Sequence, residues 1–280
     1  MAEARLMSKQ PAKPFNWKNL GARVASGFVL VPAVLLAVKL GGWGIVIMVV
    51  LTACVLAYEW AVMSAASSRK RLMTAIAVAV IGPVVISHFH RLGLAWGLAI
   101  LGALVAGLAA RGAVERRADA AYGVIYIAPP CIALVWLRGT HEGFAWTMLL
   151  FMTTWFADTG AYAFGNIFKG QKLWPRFSPN KTWSGFFGGL LCGTLAAVTV
   201  WCLTDMAVTG GVAVLMGLAG ALATMAGDLW ESALKRRFGV KDSGGIIPGH
   251  GGLLDRVDGL LFAVIVVCAA RLIVLLGWAR

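Results

Sequence analysis

At least four apolar stretches of eighteen or more residues run through this chain, and a stretch of that length wound as an α-helix matches the hydrocarbon thickness of a bilayer. In lipid every backbone N–H and C=O needs a partner within the protein, so only helices or closed barrels span it. The short alternating strands of a barrel do not appear. With 60% hydrophobic residues, 13% charged residues and a mean hydropathy of +0.80, there is too little polar surface to cover a globule in water. A soluble cytosolic protein is excluded. The expected fold is an all-α, polytopic integral membrane helix bundle.

Apolar runs separated by charged breaks predict nine spans, near 24–39, 42–64, 72–88, 92–110, 122–138, 143–166, 184–207, 210–231 and 253–278. Pro83 in the third and Pro129 with Pro130 in the fifth predict kinks or broken helices there. The distribution of Lys and Arg tests the count, because a wrong number of spans would scramble its alternation between the two sides. With a cytoplasmic N-terminus, twenty of the twenty-five basic residues fall on the cytoplasmic side, four outside (Lys39, Arg91, Arg138, Arg280), and Arg271 lies in the last span. In a soluble protein the formal charge of +13 would suggest nucleic acid. Here topology and attraction to anionic lipid account for it, and no nucleic-acid partner is expected. The organisation that follows is a cytoplasmic tail at 1–23, N-terminal membrane helices over 24–150 and a C-terminal catalytic membrane region over 151–280. The run after Arg23 lacks a small-residue cleavage site, so the first span is expected to be retained. The five cysteines sit in apolar stretches with no CxxC pair and read as packing residues.

Six of the twelve acids, Glu59, Asp158, Asp228, Glu231, Asp255 and Asp258, lie in or at the ends of these spans. Carboxylates there are costly and point to function. Asp228, Glu231, Ser232 and Lys235 fall at i, i+3, i+4 and i+7, one helical stripe emerging at the cytoplasmic end of the eighth span. Asp255 and Asp258 repeat the i, i+3 spacing at the start of the ninth. Between them, residues 235–252 read K-R-R-F-G-V-K-D-S-G-G-I-I-P-G-H-G-G, with six glycines, four cations, one acid and one histidine. Glycines let backbone N–H groups approach an anion, and Lys and Arg supply countercharge. Carboxylates amid so much positive charge suit a hard cation bridging them to phosphate oxygens. The pattern therefore predicts a polyphosphate site with metal at the membrane face.

The loop after the sixth span has similar content. Asp158 and Tyr162 are i, i+4 in F-A-D-T-G-A-Y-A-F-G, and F-S-P-N-K-T-W-S-G brings Ser178, Asn180, Lys181 and Thr182 around Pro179. Ser-Pro-Asn also fits a simple turn, and Lys181 beside Trp183 also fits an interface anchor.

The segment S-A-L-K-R-R-F-G-V-K-D-S-G-G-I-I-P-G-H-G-G-L-L-D-R-V-D, 232–258, resembles the signature of the phosphatidate cytidylyltransferase (CDP-diacylglycerol synthase) family, and G-D-L-W-E-S, S-P-N-K-T-W and D-T-G-A-Y match upstream. The resemblance covers roughly 155–260; the N-terminal half matches in hydropathy and in Glu59-Trp60. Ser184 departs from the family, where many members carry an acid or amide. The resemblance implies Mg²⁺-dependent transfer of CMP from CTP to phosphatidic acid, giving CDP-diacylglycerol and pyrophosphate in phospholipid biosynthesis, with a second cation as an open question. It implies Asp228 and Asp255 as metal ligands, with Asp258 and Glu231 as ligands or their supports. Lys235, Arg236, Lys241, His250 and Arg256 would contact phosphate, Gly249, Gly251 and Gly252 would form an amide nest, and Ser178, Lys181 and Asp158 would complete the site. The implied location is a bacterial plasma membrane with the site facing the cytoplasm, opened laterally for lipid.

Three smaller features stay open on sequence alone. Glu59 fits either a cation partner or the wall of the substrate cavity. Gly185, Gly189 and Gly193 form a small-residue stripe that allows close helix packing, either within the bundle or across a homodimer. His88, His90 and His141 fall at the outer face and read as solvated loop residues. Two rival functions use similar residues: a CTP-dependent lipid kinase, which would release CDP, and an ion-coupled transporter. The transporter leaves the one-sided, Gly-rich cationic loops unexplained.

Overall fold

The computed structural model describes residues 17–64, 69–110, 116–175, 178–247 and 251–277, with the side chains of 17–26 and of Pro179 outside that description. Among these residues nine helices follow in order: α1 (Trp17–Leu40), α2 (Gly42–Ser64), α3 (Arg69–His88), α4 (Leu92–Ala109), α5 (Arg117–Gly139), α6 (Gly143–Phe168), α7 (Trp183–Leu203), α8 (Gly210–Arg237) and α9 (Leu254–Leu275). They match the predicted spans one for one. Seven are long and apolar enough to cross a membrane; the described apolar part of α1, Gly27–Leu40, is shorter, and α6 is not among the seven. The reason for α6 lies in Thr153, Thr154, Asp158, Thr159 and Asn166, which lower its hydropathy.

The expected breaks at proline do not occur. α3 continues through Pro83 and α5 through Pro129 and Pro130. Pro83 and Pro130 are buried against neighbouring helices, and a membrane helix tolerates a lost hydrogen bond where packing holds it.

Lipid cannot drive helices together by the hydrophobic effect, so close packing of small residues must do it. The glycine stripe of α7 does this within the bundle. A Cβ on Gly185 would stand 2.7 Å from the Ala161 carbonyl oxygen of α6; on Gly189 it would meet Ala157 O at 2.7 Å and Met225 at 2.5 Å; on Gly193 it would meet Ala221 of α8 at 2.9 Å. Other apolar side chains face outward, including Phe28, Leu51, Ile100, Leu104, Leu195 and Leu215, as a lipid-bathed surface requires.

Helix ends that charge alternation assigns to one side meet in space. At one end Arg138 Nε donates to the Val38 carbonyl at 2.7 Å, Trp43 packs on His88 at 4.7 Å between ring centroids, and Arg271 of α9 donates to the His141 carbonyl. A cavity of only about 70 Å³, lined by His88, His90 and apolar side chains, lies here. At the other end Arg237 pairs with Asp119, and the connection between α6 and α7 folds into an unforeseen antiparallel hairpin. Its strands are β1 (Lys172–Trp174) and β2 (Ser178–Thr182), with Lys172 opposite Thr182 and Trp174 opposite Ser178.

Candidate active site

Three elements converge at the second end: β2, the last turns of α8, and the loop entering α9. The polar stripe of α8 forms as its spacing requires. Lys235 Nζ lies 2.5 Å from Glu231 Oε2, one turn earlier, and 2.5 Å from Asp255 Oδ1 of α9. Glu231 is buried, so Lys235 neutralises two carboxylates that have little water.

Asp255 is held from several sides. Its Oδ2 accepts from Ser243 N at 3.1 Å, Ser243 Oγ at 2.9 Å and Gly252 N at 3.0 Å. The glycines here answer to geometry. Gly251 has φ +82°, and a Cβ on Gly252 would lie 2.0 Å from Ser243 Oγ. The Gly252 amide, expected in an anion nest, thus donates to Asp255. Gly249 and His250, expected in the same nest and as a phosphate contact, lie outside the described residues.

From the hairpin, Lys181 pairs with Asp228 of α8, which joins β2 to that helix. Asp258 lies in the electrostatic field of Asp228 and Glu231. Asp158 lies in the electrostatic field of Asp228, Lys181 and Arg256. A cavity of about 310 Å³ opens between the loops, with Ser178 and Asn180 of β2 on one wall, Ser232, Lys235 and Arg236 of α8 on another, and Lys241 with Asp242 closing it. That volume reaches the size range of ligand pockets, about 300 Å³ and above. With Lys235, Arg236 and Lys241 it suits a polyphosphate.

The oxygen donors fit a hard divalent cation at Asp228 and Asp258, because two adjacent carboxylates repel unless a proton or cation lies between them. Asp255, expected as the second ligand beside Asp228, has Oδ2 taken by three donors and Oδ1 by Lys235 alone, so Oδ1 keeps a lone pair for such a cation. Among the described residues no three His, Cys, Asp or Glu side chains form a ready metal site.

Several roles were not foreseen. Glu59, fully buried, meets neither a cation nor the cavity among the described residues; its Oε1 accepts from Leu253 N at 2.8 Å and its Oε2 from Leu254 N at 2.7 Å. Trp60 donates from Nε1 to the Asp119 carbonyl at 3.0 Å and packs against Tyr122, Tyr126 and Phe238. The Tyr126 hydroxyl is buried without a hydrogen-bond partner among the described residues, in the field of Asp258, Glu231 and Asp228. Ser184 donates to the Lys169 carbonyl and lies 3.0 Å from Thr182 Oγ1, closing the base of the hairpin. The advance signals among these were the Glu59-Trp60 pair and the departure at Ser184.

A family model described as "Cytidylyltransferase family" matches residues 21–274. A protein of Brucella suis biovar 1 named phosphatidate cytidylyltransferase is 36% identical over 265 residues, 92% of this chain and 93% of that relative. Proteins of the same name from Staphylococcus epidermidis and Staphylococcus haemolyticus are 42% and 40% identical over 147 residues, 52% of this chain. This match spans 56% of the staphylococcal relatives, about half their length.

Proposed function

The chain belongs to the cytidylyltransferase family, and we propose that it is an integral membrane phosphatidate cytidylyltransferase, converting CTP and phosphatidic acid to CDP-diacylglycerol and pyrophosphate. The observation that carries this reading is the cationic cavity between β2 and α8 beside the Asp228–Asp258 pair, at the edge of a membrane bundle. One substrate is water-soluble and the other lipid-bound, so their reacting phosphates can meet only at such a boundary.

A phosphate oxygen of phosphatidate attacks the α-phosphorus of CTP in line. The new P–O bond forms as the bond to the β-phosphate oxygen breaks, and the electron pair leaves with pyrophosphate. Phosphatidate is already ionised near neutral pH, so no general base is assigned. The work left to the protein is positioning and neutralising charge. Arg236 and Lys241 line the cavity and offset negative charge on the triphosphate, Lys235 offers it a remaining N–H while balancing Glu231 and Asp255, and Ser178 and Asn180 offer hydrogen bonds from the opposite wall. Lys181 links the hairpin to Asp228 and so sets the spacing of the two walls.

Asp228 and Asp258 would hold Mg²⁺, with Glu231 behind them. When bound, the ion would neutralise phosphate charge and draw the two substrates together. Dialysis against EDTA is expected to abolish activity, with restoration by added Mg²⁺; undiminished turnover of the metal-free protein would exclude this role.

The test of the reaction is incubation of the purified protein with phosphatidate, Mg²⁺ and CTP labelled separately on the base and the γ-phosphate. Base label in lipid with γ-label in pyrophosphate is expected. Lipid carrying γ-label would instead identify a lipid kinase, and lipid without either label would refute both transfers.

A further inference from the structure

The helix whose first turn carries Asp255 and Asp258 begins without a local cap. Leu253, the residue before α9, has helical backbone angles and no capping side chain, although the first N–H groups of any helix need acceptors. The acceptor comes from the other half of the chain. Glu59 of α2 is 0% exposed, and its two oxygens take the N–H groups of Leu253 and Leu254 at 2.8 and 2.7 Å across sequence separations of 194 and 195.

The same carboxylate sets the shape of the loop. Ser243 donates from Oγ to Asp255 Oδ2 at 2.9 Å, and the next residue, Gly244, packs directly against Glu59. A Cβ on Gly244 would come within 2.9 Å of Glu59 Oε1, and one on Gly252 within 3.0 Å. Glycine at both positions lets the loop close over a buried carboxylate. From Glu59 the contacts run through the start of α9 to Asp255, which Ser243 and Gly252 also hold, and then to Lys235, which lines the cavity.

We propose that Glu59 is a positioning residue for the triphosphate side of the site: by capping α9 and seating Ser243 it fixes the orientation of Asp255 and thereby of Lys235. The inference rests on the cytidylyltransferase reading above. Glu59 itself touches no substrate. An acid suits this place because both of its oxygens accept; an amide of the same size presents one acceptor and one donor to two N–H groups. Packing alone would be served equally by glutamine.

The test compares wild type, Glu59→Gln and Ser243→Ala, measuring CTP and phosphatidate kinetics separately together with the thermal midpoint in detergent. If the wild type makes no CDP-diacylglycerol, the reaction reading fails before Glu59 is addressed. With an active wild type, Glu59→Gln is expected to raise KM for CTP or lower kcat on the order of tenfold while leaving KM for phosphatidate near wild type; one N–H of α9 loses its acceptor, so the thermal midpoint falls modestly. Ser243→Ala should act in the same direction, and the double variant should lose less than the product of the two. Unchanged CTP kinetics in Glu59→Gln would overturn the proposal. So would equal losses toward both substrates with a lowered midpoint, the signature of a purely structural acid. Should Glu59→Gln fail to fold, Ser243→Ala alone decides: a selective CTP defect supports the series of contacts, and wild-type kinetics break it.

Discussion

Two lysines in this site make similar ion pairs in different surroundings, and burial decides what each contributes. Lys235 stands between Glu231 and Asp255, whose side chains are 1% and 8% exposed. Removing it leaves two desolvated carboxylates facing each other, so Lys235→Met is expected to destabilise by about 3–5 kcal/mol as well as stop turnover. The Lys181 and Asp228 side chains are 26% and 37% exposed, although Lys181 Nζ itself is buried; it answers one carboxylate that water still reaches, so its loss costs less, about 1–2 kcal/mol. Lys181→Ala should therefore lower the thermal midpoint less than Lys235→Met while weakening use of CTP. Measuring both midpoints beside both CTP titrations checks the contrast; a large loss of stability in Lys181→Ala would contradict it. Asp228, Glu231 and Lys235 could be placed on one stripe from spacing alone. Their partners could not, because Asp255 and Lys181 arrive from other elements.

At the scale of elements, α6 and α7 hold the hairpin walls where the cavity needs them. Their contact depends on glycine: a Cβ on Gly185 would press on the Ala161 carbonyl oxygen at 2.7 Å and on Thr182 Oγ1 at 3.2 Å. Thr182 is also the cap of α7, accepting from Gly185 N at 3.1 Å. Gly185→Ala is thus expected to cost about 1–3 kcal/mol by overpacking and to lower activity as well, since it moves the base of β2 beside Lys181. Thermal unfolding in detergent and the transfer assay on the same preparation check this. A variant as stable and active as wild type would show that the helices separate at no cost. The stripe was visible as a spacing of four, whereas its use inside the bundle became clear only from the partners Ala157, Ala161 and Ala221.

For the whole molecule, the helix ends sort into two faces, one bearing His141, Arg138 and Lys39, the other the carboxylates and cationic loops. The excess of Lys and Arg on the second face supports a cytoplasmic site. In a background without the five native cysteines, Asp242→Cys should react with an impermeant thiol reagent only after the membrane is opened, and His141→Cys in intact cells. The reverse pattern would invert the topology. The N-terminal helices also do more than anchor the enzyme. Through Glu59 to α9, and through Asp119 to Arg237, they hold both helices that carry the acids.

The sequence by itself determined that the chain is an all-α membrane bundle, with nine helices among the described residues, and pointed to two charged cytoplasmic loops as the place of its chemistry. Those properties follow from local hydropathy, helical spacing and contiguous motifs. Only the tertiary structure decided that Glu59 caps α9, that Asp119 meets Arg237 across 118 residues, that the α6–α7 loop is a hairpin, and that helices continue through Pro83 and Pro130. The physical reason is that in lipid the buried and exposed faces of a helix are both apolar. The pattern that tells a soluble helix which way to turn is therefore weak, and partner choice waits on how small residues and polar groups fit when the helices pack.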